Sequence, residues 1–304
     1  MPKLPVQTRI AGAPISWGVC EAPGWGHEMP ASRVLSEMAS VGLRATELGP
    51  AGYLGSTPAA VRARLAEHDL RLVGGFVPVP LHVDEAVDLS EATDAIAILA
   101  AAGAEVVVLA ARSPDGSYDH KVPVTDRQWP ILLANLDRLR AIAANFGLTT
   151  TLHPHVGTAI ESRASVLRLL QDSDVQLCLD TGHLLIGGTE PLDLVERFTD
   201  RVSHVHLKDV RAGVAGMVAA GDTAYQDAVR AGLYAPLGDG DVDIAGIVAA
   251  LEAAGYQGWY VMEQDTAFDR EPADGTGPIS DVRRSVEFLL SVAGKAPGVS
   301  AAGR

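Results

Sequence analysis

"EVVVLAA", residues 105–111, is a short and almost unbroken apolar run. A strand with one wet face alternates apolar and polar side chains, so a run apolar throughout needs cover on both faces. Helices packed on either side of a parallel sheet provide that cover. Working outward, similar short runs recur at Arg9–Ala13, Leu43–Leu48, Leu70–Phe76, Glu105–Ala110, Leu148–His153, Val175–Leu179, Val202–Leu207 and Gly258–Glu263. Helical patterns lie between them, near 31–41, 58–68, 87–102, 126–146, 161–171, 191–198, 243–254 and 279–293. In the fourth of these, Leu132, Leu136, Leu139 and Ile142 fall near helical spacing, with Thr125 able to cap the start and Gly147 the end. Strand then helix, repeated without a break in composition, predicts an α/β protein built as a single (β/α)8 TIM barrel over residues 1–293. A doubly wound open sheet is the alternative, but no GxGxxG follows the first strand.

Two stretches depart from the repeat. Residues 209–240 form a long connection after the seventh strand, with a helical-looking piece "GVAGMVAAGDTAYQDAVRAGLY" at 213–234. On a barrel such a connection lies over the catalytic face, and a lid is expected there. The C-terminal residues 294–304, "GKAPGVSAAGR", read as a flexible tail.

Composition narrows the function classes. A net charge of −14 speaks against a surface that coats nucleic acid. The 2 cysteines, Cys20 and Cys178, have no CxxC spacing, so a reducing, cytoplasmic setting is expected. Neither a secretion signal nor an apolar run long enough to span a membrane is found, so no membrane partner is expected.

Barrel chemistry sits at the C-terminal ends of strands. Here the second strand ends at Glu47, the fifth in "TLHPHVGT" with His153 and His155, and the sixth in "LCLDTGH" with Asp180 and His183. The seventh reads "SHVHLKD", with His204, His206, Lys208 and Asp209, and the eighth ends "YVMEQD", with Glu263 and Asp265. Strand alternation puts His204, His206 and Lys208 on one side and Val205 and Leu207 on the other. If the apolar pair faces the helices, the polar trio faces the barrel axis, where unpaired polar groups are costly. Imidazoles and carboxylates converging on one axis suit a divalent metal: Mn2+ or Co2+ are favoured, with Zn2+, Fe2+ or Mg2+ as alternatives and Ca2+ a poorer match. Asp209, Asp265 and His27 are expected on solvated loops, and His68, His82 and His120 at the surface or at caps.

Taken in order, "LSEMASVGLRATELGP", "LHPHVGT", "CLDTGHLLIGG", "HVHLKDVR" and "PLGDGDVD" resemble the xylose isomerase-like TIM barrels of the sugar phosphate isomerase/epimerase superfamily, nearest to the inosose dehydratases. The resemblance runs from "APISWG" to "YVMEQDT", nearly the whole chain. It implies a metal set of His153, Asp180, His206 and Glu263, with histidine standing where epimerases typically carry glutamate. One carboxylate of a two-base epimerase is then missing, which favours elimination of water. The implied enzyme is a metal-dependent hydro-lyase acting on a cyclic polyhydroxy ketone such as 2-keto-myo-inositol, in inositol catabolism; the alternative is a sugar or keto-sugar isomerase or epimerase on the same metal. Glu263 is expected as base, His183 and Lys208 as catalytic partners, and Glu47, His155, His204 and Trp17 around the substrate. A small polyol or keto-sugar is the expected partner, and a homodimer or homotetramer the expected assembly. A nuclease of the same barrel class is disfavoured by the charge and the short ligand set.

Overall fold

The computed structural model describes residues 4–84 and 86–294. The tail expected at 294–304 lies, apart from Gly294, outside the described residues. The barrel strands in chain order are β1 (Ile10–Gly12), β2 (Ala45–Glu47), β3 (Arg71–Val79), β4 (Val106–Ala111), β5 (Thr149–Leu152), β6 (Gln176–Asp180) and β7 (Val202–Leu207), with β10 (Tyr260–Met262) as the eighth. They close into a parallel barrel in the order β1-β10-β7-β6-β5-β4-β3-β2. Between β7 and β10, β8 (Asp209–Val210) and β9 (Tyr234–Ala235) pair as a small antiparallel ribbon.

The outer helices are α1 (Ala31–Ser40), α2 (Pro58–Ala66), α3 (Ser90–Ala102), α4 (Gln128–Asn145), α5 (Arg163–Asp172), α7 (Pro191–Phe198), α10 (Ile244–Ala253) and α11 (Pro278–Ala293). Every residue of β4 is buried, as a strand covered by helices requires. Leu132, Leu136 and Leu139 of α4 are buried, and Gly147 beyond it takes a φ of 77°, the left-handed turn that stops a helix. Thr125 Oγ1 accepts from the Gln128 N–H at 3.3 Å, so the start of α4 is tied to the expected residue.

Three differences from the expected pattern have local causes. A short helix, α6 (Thr181–Ile186), follows β6 directly, because the Asp180 carboxylate caps it by accepting from the His183 N–H at 2.8 Å. The long connection holds two helices, α8 (Ala212–Ala220) and α9 (Tyr225–Arg230), broken where Gly221 adopts φ 79°. "PLGDGDVD" forms a clasp: Asp209 accepts from the N–H groups of Gly238, Gly240 and Val242 at 2.8–3.0 Å, and Asp243 caps α10. Asp209 is therefore fully buried and not a solvated loop residue, and His82, expected at the surface, is buried as well. Among the described residues no helix is long and apolar enough to cross a membrane.

Candidate active site

Four adjacent strands, β5, β6, β7 and β10, deliver polar side chains to one end of the barrel. Register aligns them: Asp180 pairs with His206 across β6 and β7, and His206 with Val261 across β7 and β10. His153 and Glu263 each follow their strand by one residue, and all four side chains are buried. His153 Nε2 lies 3.0 Å from Asp180 Oδ2. His206 Nδ1 lies 3.7 Å from Asp180 Oδ2 and 3.2 Å from Glu263 Oε2.

These separations suit a divalent cation. Metal bonds of about 2.1 Å place neighbouring ligand atoms about 3.0–3.4 Å apart. Next to the cluster, Glu47, which also lines the cavity above it, accepts through Oε1 from His206 Nε2 at 3.0 Å and from His204 Nε2 at 2.7 Å. With its proton on Nε2, His206 turns a lone pair on Nδ1 toward two carboxylate oxygens, and that nitrogen has no hydrogen-bond partner. Three acceptors facing one another in a buried space call for positive charge between them. Asp180, His206 and Glu263 have mutually close ligand atoms, as do His153, Asp180 and His183, so the buried cluster can hold a metal.

The fixed charge beside the cluster is Lys208. Its Nζ lies 2.7 Å from Asp265 Oδ1, 3.1 Å from Glu263 Oε2, 3.5 Å from Asp180 Oδ2 and 3.1 Å from His183 Nε2. Its backbone is pinned by Thr181, whose Oγ1 donates to the Lys208 carbonyl and accepts from its N–H. Gly182 permits this: a Cβ there would stand 2.7 Å from Lys208 Cβ. Burial opposes the ammonium, but Asp180, Asp265 and Glu263 hold the Lys208 pKa well above its ordinary value. Burial likewise works against the Asp180 and Glu263 carboxylates; Lys208 keeps Asp180 ionised, and His206 and Lys208 do so for Glu263. Burial also opposes charge on His206, while Cys178, Glu263 and Glu47 favour it. The field that would draw a proton there is the field that would draw a metal cation.

Above the cluster opens a cavity of about 440 Å³. Its walls include His153, His155, Lys208, Glu263, Phe76 and Tyr118. His155 Nδ1 sits 2.7 Å from the Val156 carbonyl, so that nitrogen carries the proton and Nε2 is left as an acceptor. His155 stacks on His183 with ring centroids 3.7 Å apart, and Tyr118 packs on His155 at 4.5 Å. Burial, reinforced by neighbouring His153 and Lys208 for His155 and by His155 and Lys208 for His183, pushes both imidazoles well below their usual pKa, so both are neutral at pH 7.

Other residues lie elsewhere than expected. Trp17 is fully buried in the core, with its indole N–H on Glu37 Oε2 at 2.7 Å, and it does not line the cavity. The tryptophan that does line it is Trp25, whose indole N–H donates to the Thr266 carbonyl. His204 also lies off the cavity, one layer beneath it on Glu47. Asp265, expected on a solvated loop, is buried on the cavity wall between Lys208 and Tyr225, whose hydroxyl donates to its Oδ2 at 2.5 Å. Tyr225 comes from α9 and Glu21 from the loop after β1, with Tyr118 donating to Glu21 Oε1 at 2.6 Å. No barrel-strand periodicity marks Asp265, Tyr225 and Glu21, because Asp265 and Glu21 stand on loops and Tyr225 on the short α9 of the long connection.

The connection between β7 and β10 forms part of this roof. Arg230 of α9 donates to the carbonyls of Gly24 and Trp25, the Gln226 N–H donates to Asp119, and Lys121 donates to the Ala219 carbonyl. Segments after β1, β4 and β7 are thus tied together over the cavity.

Comparison with known proteins agrees with this architecture. A family model described as xylose isomerase-like TIM barrel matches residues 35–291. An inosose dehydratase of Geobacillus kaustophilus (strain HTA426) is 32% identical over 272 residues, covering 84% of this chain and 87% of the relative. The rhizopine catabolism protein MocC of Rhizobium meliloti is 32% identical over 266 residues, covering 84% and 81%. Among solved structures, the IOLI protein with a binding zinc atom superposes with a TM-score of 0.70 at 13% identity, covering 96% of this chain and 100% of that one. The chain belongs to the xylose isomerase-like TIM barrel family, and its curated relatives at 30% identity or more include inosose dehydratases.

Proposed function

Proceeding from that membership, we propose that the chain is a metal-dependent hydro-lyase that removes water from a cyclic polyhydroxy ketone, with 2-keto-myo-inositol the favoured substrate. The observation that carries the reading is the convergence of His153, Asp180, His206 and Glu263 at separations of 3.0–3.7 Å beneath the cavity. The inosose dehydratase relatives supply the reaction class. A metal held by these four residues, Mn2+ or Co2+ in first place, would polarise the ketone and lower the cost of enolate charge.

The chain's own residues supply the proton steps. Glu263 is ionised beside Lys208 and can accept the α-proton through a carboxylate oxygen. Lys208, fixed by Asp265 and neighbouring His183, offers the N–H donor that holds a developing oxyanion or the departing hydroxyl oxygen. His155 presents Nε2 as acceptor for a substrate hydroxyl proton. Loss of the β-hydroxyl with the α-proton forms one C=C bond and one water. A histidine at position 153 leaves one carboxylate fewer for a symmetric two-base exchange, and that favours elimination over epimerisation.

The test is direct. Metal-loaded protein incubated with 2-keto-myo-inositol should generate an ultraviolet-absorbing enone or diketone product, and a chelator should abolish it. Solvent deuterium entering the substrate without dehydration would replace this reading by the epimerase. Full activity in the chelated protein would remove the metal from it.

A further inference from the structure

The environment of Lys208 differs from that of an ordinary buried ion pair. Four acceptor atoms from four residues surround one ammonium: Asp265 Oδ1 at 2.7 Å, Glu263 Oε2 and His183 Nε2 each at 3.1 Å, and Asp180 Oδ2 at 3.5 Å. Three carboxylates, two of them shared with the neighbouring cluster, and an imidazole are the donor set of a transition-metal site. Two of the four, Asp180 and Glu263, are also ligands of the neighbouring metal cluster, so the ammonium stands where the second ion of a carboxylate-bridged pair would stand. His183 belongs to a cluster of close ligand atoms with His153 and Asp180. A single lysine would leave three neighbouring carboxylates under-neutralised, yet with one divalent cation beside it the total is three positive charges against the three of Asp180, Glu263 and Asp265.

We propose that Lys208 acts as a built-in second cation, occupying a latent second metal position made of Asp180, His183, Glu263 and Asp265 and thereby keeping the centre mononuclear. The chemical consequence is specific. A second metal ion would offer open coordination positions and a bound hydroxide, the equipment of two-metal hydrolysis. An ammonium offers only N–H donors, so this position can bind an oxygen and give it a hydrogen bond but cannot generate a nucleophile. The first ion rests on the metal reading above; the second position does not.

Ammonium contacts of about 2.7–3.5 Å would contract to about 2.0–2.2 Å around a metal. Removing the lysine side chain provides the room, and the flexible carboxylates of Glu263 and Asp265 can close the gap. The experiment is equilibrium dialysis against Co2+ or Zn2+ with metal analysis, on the wild type, Lys208→Ala and the double variant Lys208→Ala with Asp265→Asn. The expected result is one additional equivalent of metal in Lys208→Ala relative to the wild type, lost again in the double variant. Equal stoichiometry in the folded wild type and Lys208→Ala would overturn the proposal, as would an extra equivalent that survives the loss of the Asp265 carboxylate. If Lys208→Ala does not fold, the wild type itself decides: two ions bound at saturation overturn the proposal, and one supports it. A wild type that binds none while Lys208→Ala binds one would sink the metal-dependent reading of the enzyme and the mononuclear centre with it, but would keep Lys208 as the occupant of a latent metal position.

Discussion

Glu263 carries most of the chemistry at the level of single residues. It neighbours His206 at 3.2 Å and Lys208 at 3.1 Å, and it is the proposed base as well as a metal ligand. Glu263→Gln keeps the shape and removes the charge, so turnover should fall by about 10²–10⁴-fold, the range for losing a positioned general base. Steady-state kinetics on 2-keto-myo-inositol would show it; a variant within a few-fold of wild type would reject the role. Glu47 acts one step back, with both imidazoles of "HVH" on one oxygen. Carboxylates that orient a ligating histidine contribute about 10–100-fold in metal affinity. Glu47→Gln should weaken metal binding by that order in a chelator competition, with the fold intact by circular dichroism.

The turn after β5 shows how an element makes the site. Gly157 of "HPHVGT" adopts φ 71°, and a Cβ there would stand 2.4 Å from Tyr118 Cα. The turn carries His155, and its Gly157 N–H donates to Glu161. Gly157→Ala therefore meets both a strained backbone and a backbone collision, and should destabilise the protein by about 1–3 kcal/mol in urea unfolding. Activity should drop with it, since Tyr118 and His155 pack together across this contact. A stability equal to wild type would show that the segment after β4 yields freely.

Across the whole molecule, two linkages are open to measurement. A metal that binds only the folded barrel raises the unfolding temperature with ligand concentration. Stripped protein should unfold at a lower temperature than Mn2+- or Co2+-loaded protein, by differential scanning calorimetry; no difference would place the ion elsewhere or nowhere. The second linkage is His82, buried in the turn that follows β3, its Nδ1 without a hydrogen-bond partner. Burial lowers its pKa below the usual 6.5. The unfolded chain therefore binds a proton that the folded chain refuses, and stability must fall as pH drops below about 6.5 toward the lowered value. His82→Gln removes that contribution: its stability relative to wild type should improve on going from pH 7.5 to 5.5. A difference independent of pH would mean that His82 is not held neutral by burial.

The sequence by itself determined the barrel and the strand ends that hold the polar cluster. Apolar runs such as "EVVVLAA" demand two covered faces, and period-2 alternation in "HVHLKD" aims three polar groups one way; both are local constraints that a linear pattern records. Membership of the family was legible for the same reason, because its motifs sit at those strand ends. Only tertiary structure decided which tryptophan walls the cavity: Trp17 turns to Glu37 in the core, while Trp25 arrives on a loop. It also decided the places of Asp265, Tyr225 and Glu21 beside the cluster, and of Asp209 and His82 in the interior. Residues in the connections between barrel strands and outer helices carry no barrel period, so their placement depends on which distant segments fold over them. The charge balance around Lys208 is of the same kind, since its four acceptors come from β6, α6 and the segment following β10. No spacing along the chain encodes that distance; barrel closure creates it.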